Sequence, residues 1–117
     1  MLLTQNKYYS QLAPEVKEVA DAVKEVTLSA DADASVYLFG SRARGDASEE
    51  SDWDFLILTD TIQTEELAAL LRSKVRTDVE SRWHIAVSLI VKNRKLWEDD
   101  YAITNIYESI AEEAVAI

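Results

Sequence analysis

The chain has 117 residues, 48% of them hydrophobic and 29% charged, which fits one ordinary globular domain with a modest core. Two glycines and one proline exclude linker-rich and collagen-like chains, and the lack of cysteine excludes disulfides, thiolate metal sites and cysteine nucleophiles. Twenty-two acids against twelve Lys and Arg leave a net charge of −10, a field that repels nucleic acid as a primary partner.

Pro14, followed by Glu15 and Glu18, marks a helix start, because proline suits the first turn and acids suit the positive end of the dipole. Val16, Val19, Ala20, Val23 and Val26 then recur at helical spacing. The small polar run at 30–35 reads as a loop. Val36 to Phe39 is a short apolar run ended by Gly40, the pattern of a buried strand. Residues 52–58, DWDFLIL, form a second strand whose faces both turn apolar, so it is expected in the sheet interior. Thr64, Glu65 and Glu66 open a second helix with Leu67, Leu70, Leu71, Val75 and Val79 on its inner stripe. His84 to Val91, HIAVSLIV, is a third strand, and Ile103, Ile106, Tyr107, Ile110 and Ala114 share one face of a last helix.

This order predicts an α+β protein, a small mixed β-sheet packed by helices. It forms one domain over 1–117, with a core at about 14–98 and a C-terminal helix at about 100–115. No apolar run approaches the roughly 20 residues of a membrane span, and the N-terminal MLLTQNKYYSQ lacks signal-peptide features. A cytoplasmic protein without a membrane partner is expected.

One region breaks the local rules. Aspartate is a poor strand residue, yet Asp52 and Asp54 begin the most apolar strand of the chain. Their spacing of two puts both on one side, a little under roughly 7 Å apart at the Cα atoms. Like charges that close repel unless a cation joins them, and Mg²⁺ takes hard oxygen ligands that it shares with phosphates. The bland reading is a frayed strand end with solvated acids. Upstream, Gly40 and Ser41 end the first strand and are followed by Arg42, Arg44 and Gly45. Glycine there lets backbone approach a ligand, Ser41 adds a donor, and guanidinium groups suit phosphate. The bland alternative is an ordinary turn, with both arginines paired to Asp46, Glu49 or Glu50.

Taken together, VYLFGSRARGDASEESDWDFLIL, residues 36–58, resembles the minimal nucleotidyltransferases of the DNA polymerase β-like superfamily. Their pattern is an apolar strand, Gly-Ser, a spacer, and Asp-x-Asp opening the next strand. The resemblance implies a nucleotidyltransferase (polymerase β-like) fold, with Gly40 and Ser41 on the phosphates of a nucleoside triphosphate. It implies Asp52 and Asp54 as catalytic ligands of Mg²⁺, and Arg42 or Arg44 as phosphate contacts. Active members carry a third carboxylate on the third strand, whereas no Asp or Glu lies between Glu80 and Glu98 here. Ser88 is assigned to that position; Glu80 and Glu98 bracket the strand and could substitute, but neither is assigned the role.

The resemblance yields two readings. The first is a Mg²⁺-dependent enzyme that moves a nucleoside monophosphate, AMP from ATP, onto a hydroxyl of a protein or small molecule. Small relatives often accompany a helical HEPN-type partner as the antitoxin of a toxin–antitoxin pair, and the acidic surface suits a basic partner. The second is a catalytically degenerate fold that binds nucleotide or partner without chemistry, supported by the serine at position 88. His84, Trp53, Trp83 and Trp97 are assigned to packing or strand ends.

Overall fold

The computed structural model describes residues 8–99 and 105–117. A 3₁₀ turn at Tyr9–Gln11 leads into α1 (Pro14–Ala30), which starts at proline as its sequence requires. Then follow β1 (Ser35–Phe39), α2 (Ser41–Arg44), β2 (Trp53–Thr59) and α3 (Thr64–Val75). A π turn, Arg76–Glu80, carries the chain into α4 (Ser81–Trp83), after which come β3 (Val87–Asn93) and α5 (Arg94–Asp99). The described chain closes with α6 (Asn105–Glu113) and β4 (Val115–Ala116).

The strands form one sheet in the order β3-β2-β1-β4. β1 is antiparallel to β2 and β4, whereas β2 and β3 are parallel and joined through α3, as a parallel pair needs a crossover. The sheet is therefore mixed, and helices cover it, as the apolar pattern predicts. Its interior strand is β2, where Phe55, Leu56, Ile57 and Leu58 are fully buried. Phe55 and Ile57 enter the larger core with Val23 of α1 and Leu71 of α3. Leu56 and Leu58 meet Trp97 of α5 and Ile110 of α6 on the opposite face. Burial on both sides explains why the strand lacks polar alternation beyond Asp54.

Four expectations are corrected. The third strand begins at Val87 rather than His84, because His84 adopts a left-handed conformation (φ 54°) that ends α4. The Glu80 carboxylate accepts the Val87 N–H at 2.8 Å and fixes where the strand starts. Leu70 is 47% exposed and stands off the inner stripe of α3, which Ala68, Leu71 and Val75 fill. The last helix ends at Glu113, and Val115–Ala116 pairs instead with Leu38 and Tyr37 of β1. Finally, Asp52 lies just before β2, not inside it. Ile103, the side chain of Ile106 and the stretch 100–104 of the expected C-terminal helix lie outside the described residues.

At the end of the sheet where β1 begins and β2 leaves, Arg94 ties three segments together. Its guanidinium donates to Ser35 Oγ (2.8 Å), the Asp33 carbonyl (2.9 Å) and Asp60 Oδ1 (3.1 Å). Asn93 caps α5 by accepting the Lys95 and Leu96 N–H groups. These contacts hold the far end of the sheet and leave the Gly40 end for other work.

Candidate functional site

β1 delivers the chain to Gly40, whose φ of +75° lies where side chains are strained. The turn reverses at once into α2: the Gly40 carbonyl accepts the Ala43 and Arg44 N–H groups, each at 3.0 Å. Gly45, also left-handed (φ 87°), ends that single turn by donating to the Ser41 carbonyl at 2.9 Å. Both glycines of the chain thus bracket one short helix.

Across the β1–β2 ladder Phe39 is the partner of Asp54, which places Gly40 directly over that carboxylate. A Cβ on Gly40 would overlap Asp54 Oδ2, so glycine is required by approach as well as by φ. On the other side of Asp54, Ser88 is its in-register partner across the parallel β2–β3 ladder. Asp54 and Ser88 therefore leave the sheet on the same face, with Ser88 exposed and Asp54 half-buried. Asp52, exposed, precedes them by one strand repeat.

The electrostatics of this end are repulsive. Burial pushes the Asp54 carboxyl above its ordinary value of 3.8, and the charges of Asp52 and Glu113 push it further; Arg44 opposes them. Two hard oxygen donors held in mutual repulsion suit a divalent cation that completes its shell from water and phosphate. Among the described residues no cluster of three or more His, Asp or Glu could hold a metal alone.

The two arginines take different roles in the fold. Arg42 stacks over Trp53, its guanidinium carbon 4.6 Å from the ring centroid, and donates to the Ser51 carbonyl at 3.0 Å. It therefore pins the Ser48–Ser51 turn, closed by the Ser51 N–H on the Ser48 carbonyl, immediately before Asp52. Trp53 in turn is buried and donates its backbone N–H to the Ala86 carbonyl at 2.9 Å. Arg44 stays at the turn, bound to Asp46 (3.2 Å) and to Glu113 (2.9 Å). The flanking acids are engaged elsewhere: Glu80 on Val87, and Glu98 on the Tyr107 hydroxyl at 3.3 Å.

Glu113 is the residue the sequence reading misses. Its Oε1 accepts the Gly40 N–H at 2.9 Å while Oε2 holds Arg44. No local motif points to it, because it reaches the turn from 73 positions away. The larger grooves lie apart from these residues: about 620 Å³ beside Leu89–Asn93, and about 600 Å³ between α1 at Ala22 and Val26 and the turn at Thr77 and Asp78. No helix of the described residues is long and apolar enough to cross a membrane. A comparison with protein families matches residues 16–117 to the nucleotidyltransferase domain, and the mixed sheet packed by helices is consistent with its fold. Curated proteins give no significant match.

Proposed function

Because the chain belongs to the nucleotidyltransferase domain family, we propose that it transfers AMP from ATP to a hydroxyl of a protein or small-molecule acceptor, with Mg²⁺ at Asp52 and Asp54. The observation that carries this reading is the direct approach of Gly40 to Asp54. A phosphate-binding turn and a metal-binding carboxylate that touch can address the two sides of one phosphoanhydride bond.

In the proposed reaction the Gly40–Ser41 backbone and the Ser41 hydroxyl receive the terminal phosphates, and Arg44 offsets their charge. Arg42 acts one step back, holding the turn that sets Asp52. Bound Mg²⁺ would supply charge neutralisation on the attacking and leaving oxygens. The acceptor oxygen bonds to the α-phosphorus, the bond to the β-phosphate oxygen breaks, and pyrophosphate leaves. Ser88 cannot take the acceptor proton near neutral pH, so that proton passes to water at this exposed edge. Catalysis is then mostly alignment and electrostatics.

The net charge of −10 favours a basic acceptor or partner, which supports an antitoxin role beside a HEPN-type protein. A second reading, nucleotide binding without transfer, is favoured by the serine next to Asp54. Incubation with α-phosphate-labelled ATP, Mg²⁺ and a co-purified partner separates the two. Label transfer with pyrophosphate release, both lost in Asp54→Asn, supports the enzyme; binding with no transfer to any acceptor supports the second reading.

A further inference from the structure

We propose that Glu113 is a built-in stand-in for phosphate that occupies the donors of the Gly40 turn until a phosphate ligand displaces it. The inference rests on the reading of Gly40, Ser41 and Arg44 as the phosphate-binding turn. Two oxygens of one carboxylate bridge the Gly40 N–H (2.9 Å) and the Arg44 guanidinium (2.9 Å). Two oxygens of one phosphate would bridge the same pair of donors, so ligand and Glu113 compete for them.

The fold places this side chain there on purpose of register rather than of helix stability. β4 pairs Val115 with Leu38, and carrying that antiparallel register two positions further sets Glu113 opposite Gly40. Glu113 is also the last residue of α6, where the helix dipole disfavours an acid. It sits near Asp54, whose carboxyl its charge pushes up. Two local forces thus oppose the Glu113 charge, and the Gly40 and Arg44 contacts offset them. Its side chain remains 21% exposed, so water can receive it when it is displaced.

A ligand that enters must replace a full negative charge already satisfied by both donors. A monophosphate exchanges one such anion for another and gains little. A triphosphate brings further phosphate oxygens to Ser41 and the metal-binding edge, and these contacts drive the exchange. After transfer, the returning carboxylate competes with pyrophosphate and speeds its release.

Isothermal titration of the full chain with ATP, AMP and inorganic pyrophosphate, each with Mg²⁺, tests this in wild type, Glu113→Gln and Glu113→Ala. The expected result is tighter binding of all three ligands by both variants, by one common factor on the order of tenfold, because each displaces the same carboxylate. The preference for ATP over AMP stays as in wild type. Weaker ATP binding in both variants would make Glu113 a ligand of the substrate complex and overturn the proposal. Unchanged affinities in variants that keep the wild-type circular dichroism would overturn it equally. If pyrophosphate binding tightens while no form binds any nucleotide, the stand-in holds and the nucleotide reading fails. If no form binds any of the three, both fail.

Discussion

Asp54 and Ser88 are in-register partners on parallel strands, so their side chains stand on one face of the sheet about a strand spacing, roughly 4.8 Å, apart. Ser88 is exposed, and its neighbour Leu89 begins the buried part of β3. A carboxylate at this position would reach the cation proposed at Asp54 without disturbing the core.

Ser88→Asp is therefore expected to raise the transfer rate, by roughly 100-fold or more where it supplies a general base. Without Mg²⁺ it should lower stability, since a like charge is added beside Asp54. Pyrophosphate release and urea unfolding, each measured with and without Mg²⁺, check both halves.

Gly40→Ala combines two faults. The positive-φ, extended-ψ backbone (φ 75°, ψ −161°) costs about 1–3 kcal/mol for a side chain, and the new Cβ displaces the Asp54 carboxylate. Loss of at least that much stability in urea is expected, with nucleotide binding abolished. A variant that keeps full binding would show that the Gly40–Asp54 approach is not needed.

Arg42 holds the turn before Asp52 through stacking on Trp53 and the Ser51 carbonyl. Arg42→Ala should lose about 1–2 kcal/mol from these two contacts. Tryptophan fluorescence should shift as Trp53 gains water, and nucleotide affinity should fall moderately. Arg42→Lys restores the charge but not the planar stack, so it should rescue little of the stability.

The pH dependence follows from Asp54. Its carboxyl is raised in the folded protein, so the fold binds that proton more tightly than the unfolded chain does. The stability it contributes is complete below the ordinary carboxylate value of 3.8 and is lost as pH rises through the higher folded value. In metal-free buffer, Asp54→Asn should flatten this loss over the weakly acidic range, and at neutral pH it should be at least as stable as wild type. Thermal unfolding across pH 4 to 7, roughly the window where carboxylates titrate, reads the difference.

Much of this arrangement is legible along the chain because it is local. The valines of α1 recur at helical spacing, and Gly40 and Gly45 mark the left-handed positions around α2. Asn93 before Arg94 is an N-cap signal that the apolar run ending at Val91 masks. The start of β3 is less legible, since Ile85 and Ala86 continue the apolar pattern and only the left-handed His84 and the Glu80 side chain set it. Nothing local along the chain reveals that Arg42 also stacks on Trp53. Glu113 is silent in sequence, as β4 is a two-residue strand whose pairing exists only in the folded sheet.

The most direct test of the central claim is thermal unfolding of wild type and Asp54→Asn with each nucleoside triphosphate, with and without Mg²⁺. At about 100 times its dissociation constant a ligand adds roughly 2.7 kcal/mol, or several degrees in a domain of this size. A Mg²⁺-dependent rise, largest with ATP and absent in Asp54→Asn, is expected. No rise with any nucleotide, or a rise that survives the substitution, would contradict it.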